Sequence, residues 1–395
     1  MFRSSRTVFR MAAAVGLLGW HWWPSAWNSA GLDRIQWALA CDEVEKLDRL
    51  LCRIDGDHTD HGYYNQLLDT GLHADRPPSI AIAVDELREL VLRPNLSIVR
   101  SDGTTWTAND LGLRDRFYPR EKPPSTIRIA MTGDSIGVGL GVGDGKGFEP
   151  LLERSLNERS RRRGGPSIEI LNFALPGRSP GQRWDHFRKT GWATQPDLVL
   201  FEATPADDNW DRRRLSEILP RGIGWDSSIY GDVLERSGLR PGGTAEVYWE
   251  ALAPYRWDLL AAAYRTVAAE CRARGVPCVW VLIPRVGRFV SEERIRKLVH
   301  EARAAGFTAV VDVSDAFDGR DPAELAVHPS DFHPNAEGHA ILSRRIAREL
   351  RALPALQGPA TPDRTPSDQR TTEAPESDRF GEKLDVSGIT PKATT

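Results

Sequence analysis

The chain has 395 residues, of which 40% are hydrophobic and 27% charged, and its formal net charge is −3. That length accommodates one full α/β domain with accessory segments. The near balance of charge excludes a global field that would draw in nucleic acid or an anionic membrane, and the arginine runs Arg161–Arg163 and Arg212–Arg214 lie in helical patterns beside acids, as solvated faces do.

Residues 1–30 begin with Arg3, Arg6 and Arg10, continue with a short apolar run from Met11 to Trp20, and add Trp22, Trp23 and Trp27. A basic start and a short apolar core resemble a signal peptide. The run falls short of the ~20 apolar residues of a membrane span. The expectation is export to the periplasm, the envelope or the medium, or weak association of this segment with a membrane; the alternative is a cytoplasmic chain.

Residues 31–125 read as a small α+β accessory module. An amphipathic helix is expected over 31–54, from Ile35, Leu39, Leu47, Leu50 and Leu51. Asp55, Asp57, His58, Asp60 and His61 follow, but no periodic element fixes them and Gly56 and Gly62 loosen the segment, so they read as a solvated loop and not as a metal site. A second helix is expected over 80–93. Leu96 to Thr107 reads as a hairpin turning at Asp102-Gly103. Arg120 to Pro124 is a polar linker.

Residues 126–353 alternate between strand and helix patterns. The strand-like runs are Ile127–Met131, Ile168–Asn172, Leu198–Phe201, Cys278–Ile283 and Ala309–Val313; helical patterns occupy about 147–162, 181–192, 244–274, 289–305 and 335–352. Short β-branched runs alternating with helices predict a parallel sheet covered on both faces, hence a three-layer α/β/α domain of about five strands. The crossover from Trp210 to Thr244 is long and rich in Gly, Trp and Arg, as insertions that shape a binding site or lid are. Trp210, Trp225, Tyr230 and Trp249 there suit stacking on sugar rings, lining an acyl pocket, or plain core. From 354 to 395 the composition turns to Pro, Thr, Ser, Asp and Glu, which predicts a disordered tail.

The four cysteines show no zinc spacing. Cys41 and Cys52 would lie roughly 16 Å apart along one helix, too far to bridge. Cys271 and Cys278 flank a helix-to-strand turn and read as a disulfide or as two small buried hydrophobes.

Chemistry concentrates at two places. Gly133-Asp134-Ser135 follows directly on the first strand of the alternation, and ligands of open α/β sheets bind at the carboxyl ends of strands. A serine hydroxyl becomes a good nucleophile when a base takes its proton. His333, in a loop before the last helix and beside Asp331, is placed to be that base; Pro334 opens the helix where no amide hydrogen bond is needed. His339 lies inside that helix and reads as a packing or locally hydrogen-bonded residue. The glycines from Gly137 to Gly145 lack the order of a dinucleotide loop.

Gly133-Asp134-Ser135 and Asp331-Phe332-His333-Pro334-Asn335, about two hundred residues apart, resemble the first and last sequence blocks of the SGNH/GDSL-like serine hydrolase superfamily. Leu171-Asn172-Phe-Ala-Leu-Pro-Gly177 resembles the block whose glycine amide joins the oxyanion hole, and Asn109-x-x-Gly112-x-Arg114 resembles an entry segment of exported members, expected to hold the accessory module to the sheet. The resemblance covers about residues 126–352 and implies a flavodoxin-like strand order.

Two positions depart from the family pattern. The third block's asparagine falls on Ala206, followed by the matching acid Asp207; Asn209 comes three residues late, so either Asn209 or Thr204 donates or the third donor is absent, and the third donor is assigned to Asn209. The acid that usually stands three residues before the histidine falls on Ser330, and Asp331, two before, takes the role. The resemblance then implies a serine esterase acting on acetyl or other short acyl esters of small molecules or carbohydrates through an acyl-enzyme, with Ser135 and Gly177 amides on the oxyanion, and without metal or organic cofactor. The alternatives are an O-acetyltransferase of cell-envelope sugars and, from another class, a non-catalytic carbohydrate-binding protein of the same fold, a reading that Ala206 feeds.

Overall fold

The computed structural model describes residues 81–83, 90–99, 103–221, 227–239, 242–329, 331–351, 353 and 356. The signal-like start, the helix expected over 31–54, the acidic loop after it, Cys41, Cys52, Trp225 and, apart from Leu356, the tail from 354 lie outside the described residues.

Residues expected as one helix over 80–93 instead contribute two short strands, β1 (Ala81–Ala83) and β2 (Leu90–Leu92), paired antiparallel with Ile82 opposite Val91. Each end of that stretch is a short β-branched or leucine run, and pairing between the runs outweighs a helical spacing that spans both. The hairpin is as expected: β3 (Ser97–Val99) pairs with β4 (Thr105–Thr107), with Ile98 opposite Trp106.

The domain proper starts with β5 (Thr126–Thr132) and continues through α1 (Phe148–Arg162), β6 (Ser167–Asn172), α2 (Pro180–Thr190), β7 (Leu198–Ala203), α3 (Asp207–Ile218), α4 (Ser227–Ser237), α5 (Ala245–Ala251), α6 (Arg256–Ala273), β8 (Cys278–Leu282), α7 (Glu292–Ala305), β9 (Ala309–Asp312), α8 (Pro322–Leu325) and α9 (Ala336–Leu350). β5 to β9 form one parallel sheet in the order β6-β5-β7-β8-β9, the flavodoxin-like order.

The period of two along each strand decides the layers. Ile129, Met131, Leu198, Leu200, Val279 and Val281 face one core with Leu152 of α1 and Leu342 and Ile346 of α9. Their neighbours Ala130, Val199, Phe201, Cys278, Trp280 and Leu282 face the other, against Trp184 and Phe187 of α2, Tyr264 of α6 and Leu298 of α7. Cys271 and Cys278 are free, buried thiols in that second core, so the small-hydrophobe reading holds and the disulfide does not form.

The long crossover is largely helical. Leu215 of α3, Tyr230 and Val233 of α4 and Leu259 and Ala263 of α6 close a third apolar cluster, so Tyr230 is core. Trp249 lies under the Arg212 guanidinium, 3.4 Å from its ring centre, and its carbonyl accepts from Arg212 Nε. The helical pattern expected over 244–274 divides into α5 and α6 at Ala253–Tyr255, where Pro254 cannot continue a helical hydrogen-bond ladder. Among the described residues, no helix is long and apolar enough to cross a membrane.

His339 on α9 is fully buried, and its Nδ1 accepts from the backbone N–H of Phe148 at the start of α1 (3.1 Å). Burial first, then the charges of Arg114 and His333, push its imidazole down to about 3. In the unfolded chain it titrates near ~6.5. The depressed group therefore contributes its full stability above that value and loses it as pH falls toward 3. The melting temperature is expected to drop on acidification from pH 6.5 to 4, with His339→Gln flattening part of the slope; an identical slope in the variant contradicts this.

Candidate active site

The parallel ladder continues past the ends of β5 and β6. Phe173 N donates to Met131 O (2.7 Å) and Leu175 N to Gly133 O (3.2 Å), which aligns the turn carrying Ser135 with the loop carrying Gly177. Asp134 shapes its own turn: its Oδ1 accepts from Ile136 N (3.0 Å) and its carbonyl from Val138 N (3.0 Å). Ser135 is thereby held at the carboxyl edge of the sheet with 8% of its surface exposed.

The histidine arrives on a loop fixed from both sides. Val327 N donates to His333 O and Val286 N, beyond β8, to Phe332 O. Asn335 caps α9, its Oδ1 accepting from Glu337 N (3.0 Å) and Gly338 N (3.1 Å). His333 Nε2 then lies 2.7 Å from Ser135 Oγ, and His333 Nδ1 lies 2.5 Å from Asp331 Oδ1, which also accepts from the His333 backbone N–H. With Nδ1–H donating to the carboxylate, Nε2 is the acceptor for the serine hydroxyl. Burial pushes the Asp331 carboxyl up, but the hydrogen bond and charge of His333 outweigh it and hold it below the usual carboxylate range. The structure thus links Ser135, His333 and Asp331 in one line.

Gly177 has φ +68°, the left-handed region that glycine occupies without strain, and open space where a Cβ would stand. Neither the Ser135 nor the Gly177 amide donates a hydrogen bond to any described residue. The third block takes a compact form. Ala206 precedes α3, Asn209 N donates back to Ala206 O, and Asn209 is a buried residue of the first helical turn. The Thr204 hydroxyl donates to Asp207 Oδ1 (2.9 Å), so its single proton is already committed.

Two arginines organise the surroundings. Arg114, closing the Asn109-x-x-Gly112-x-Arg114 segment, lies over the Trp106 ring and donates to the carbonyls of Val138 (2.7 Å), Gly139 (2.5 Å) and Val142 (2.5 Å). The segment therefore clamps the glycine-rich loop that follows the serine as well as joining the hairpin to the domain. Arg183 of α2, which sequence reasoning passed over, is fully buried. It makes a two-pronged bond to Asp207 (3.0 Å each), reaches Asp134 (3.2 Å), and donates to the carbonyls of Glu202 and Arg178. Nothing in a helical run marks such an arginine as buried. Among the described residues, no cluster of three or more His, Cys, Asp or Glu side chains is arranged to hold a metal ion.

A hydroxyl, an imidazole and a carboxylate stand in line at the carboxyl edge of a flavodoxin-like 2-1-3-4-5 parallel sheet in a three-layer α/β/α fold, an arrangement that can activate a serine. The model of the GDSL-like lipase/acylhydrolase family matches residues 131–341, just over half of the chain, and the chain belongs to that family, a carboxylic ester hydrolase of the SGNH/GDSL type. No curated protein matches it. Among solved structures it is similar to a two-domain esterase, CEX, active on acetylated mannans (14% identity, 60% of this chain and 53% of that one, TM-score 0.38). It is also similar to the acetylxylan esterase Axe2 of Geobacillus stearothermophilus (17%, 57% and 94%, 0.38) and a lipase/acylhydrolase of Enterococcus faecalis (17%, 57% and 95%, 0.34). The chain spans about half the length of the two-domain esterase.

Removing one partner of a buried ion pair leaves the other charges uncompensated, at a cost of about 3–5 kcal/mol. Arg183→Met is expected to lower the unfolding free energy by about that amount in urea denaturation; a loss under ~1 kcal/mol would place the stability of this region elsewhere.

Proposed function

We propose that the protein hydrolyses acyl esters through an acyl-enzyme on Ser135. The observation that carries this reading is the continuous Ser135–His333–Asp331 hydrogen-bond line. Ser135 Oγ attacks the ester carbonyl carbon while His333 Nε2 takes the hydroxyl proton, and Asp331 orients and offsets the charged imidazolium. The tetrahedral intermediate collapses, the bond to the alcohol oxygen breaks, and His333 returns the proton to that oxygen. Water, deprotonated in turn by His333, attacks the acyl carbonyl and releases the acid, restoring Ser135.

The negative oxygen of each intermediate is assigned to the amides of Ser135 and Gly177, which have no acceptor among the described residues. Asn209 is the proposed third donor, since Thr204 is committed to Asp207. The proposed substrates are acetyl and other short acyl esters of small-molecule or carbohydrate alcohols.

Turnover of p-nitrophenyl acetate is the test. Ser135→Ala and His333→Ala are expected to abolish it equally, because the two act as one unit, with circular dichroism unchanged; Asp331→Ala is expected to lose less. Asn209→Ala is expected to lower kcat about 10²-fold with little change in KM. Retained turnover in Ser135→Ala overturns the reading.

A further inference from the structure

Glu202 is a charged residue type inside β7, a strand buried along its whole length, and its own side chain is fully buried. It sits directly against the nucleophile turn. A Cβ added at Gly133 or at Gly137 would collide with Glu202 Oε2, so the carboxyl group is pressed against backbone on both sides of Ser135. Glycine at these two positions makes room for Glu202.

The charged groups acting on this carboxyl are Asp134 after β5, Arg183 of α2 and Asp207 at the start of α3, and Arg285 beyond β8 acts on its neighbour Asp134. The Arg183 guanidinium, the cation that acts on it, is already used. Arg183 bonds the Asp134 and Asp207 carboxylates, and what it gives Glu202 goes to the backbone carbonyl (3.1 Å). Arg285 makes no hydrogen bond through Nε or Nη2 and lies over the Phe332 ring. Neither oxygen of Glu202 accepts from an N–H or O–H group of the described residues. The group beside it is another carboxyl, that of Asp134, the residue after Gly133, whose charge acts on Glu202, and two carboxyl groups can share a hydrogen bond only if one carries a proton.

An ionised carboxylate in this position would be a buried charge with no donor and with a like charge beside it, which is far costlier than a neutral acid. We propose that Glu202 is a neutral carboxylic acid that donates its proton to Asp134, and that this bond positions the turn presenting Ser135. Glu202 touches no substrate; it is a positioning residue. The electrostatics agree. Burial first, then the charge of Asp134, push the Glu202 carboxyl well above its ordinary range. Burial also pushes Asp134 up, but Arg183, Arg285 and the bond from Glu202 outweigh it and hold Asp134 below the ordinary value.

The positioning role rests on Ser135 being the nucleophile; the proton on Glu202 does not. The test uses the full chain, Glu202→Gln and Glu202→Leu, with Ser135→Ala alongside. Infrared difference spectra of wild type against Glu202→Gln at pH 7 are expected to show a protonated-carboxyl C=O band that shifts in heavy water; carboxylate bands alone overturn the proposal. Glu202→Gln keeps an N–H donor toward Asp134 and is expected to retain most of the wild-type kcat for p-nitrophenyl acetate. Glu202→Leu, of similar bulk without a donor, is expected to lose about tenfold or more in kcat at unchanged KM. Equal losses in both variants overturn the positioning role, and if Glu202→Leu does not fold, the infrared band and a large kcat loss in Glu202→Gln still decide. Retained turnover in Ser135→Ala sinks the nucleophile assignment while leaving the infrared result to stand on its own.

Discussion

The guanidinium of Arg183 ties the end of β5 to the start of α3 through Asp134 and Asp207, and it does so with no exposure to water. Ions in a dry site are costly unless each is paired in good geometry, so this arrangement tolerates little displacement of the turns that supply the carboxylates. One of those turns carries Ser135 on the residue after Asp134. The position of Ser135 is thus coupled to a buried ion pair and to the Glu202 carboxyl beneath it, and not only to the strand that precedes it.

Around this floor, the sheet edge collects loops from distant parts of the chain. The strand order puts β5 between β6 and β7, so the loops after these three strands are neighbours. The histidine loop reaches the same edge from beyond β9 and is anchored to the β8 loop through Val286 and Phe332. On the other side, Arg114 binds three carbonyls of the glycine-rich loop while stacking on Trp106. A glycine-rich segment has much backbone freedom to lose on ordering. Arg114 of the Asn109–Arg114 segment, with Trp106 of the hairpin donating to Val142 O, supplies contacts that offset this loss, which gives the accessory module a part in ordering the loop after Ser135.

Much of this was legible in the sequence for physical reasons. The five strands of the parallel sheet are short apolar runs between amphipathic helices, and their alternation predicts both the sheet and its layers. Ser135 and His333 sit at the end of a strand and just before a helix, places that local signals mark, although Asn335 and not Pro334 opens that helix, Pro334 standing one residue before the cap. The stretch over 80–93 misleads because its two apolar ends also fit a helical spacing, and only pairing between them decides. The crossover from Trp210 to Thr244 reads as an insertion, and its division into α3 and α4 is hidden because arginine and glycine dilute their apolar stripes. Arg183 was hidden because a polar residue in a helix is presumed to face water. Glu202 did leave a signal, an acid in an otherwise apolar strand run, though its partner is set only by tertiary packing.

The group proposed to carry the acyl chain is the Ser135 hydroxyl, which forms a bond to the acyl carbon and then gives it up to water. The most direct measurement is mass spectrometry of the full chain after exposure to a fluorophosphonate, followed by peptide mapping. The account predicts one adduct per chain, carried by the peptide containing Ser135, and none in His333→Ala under the same conditions. An unlabelled wild-type chain, or an adduct on a different serine, would contradict it.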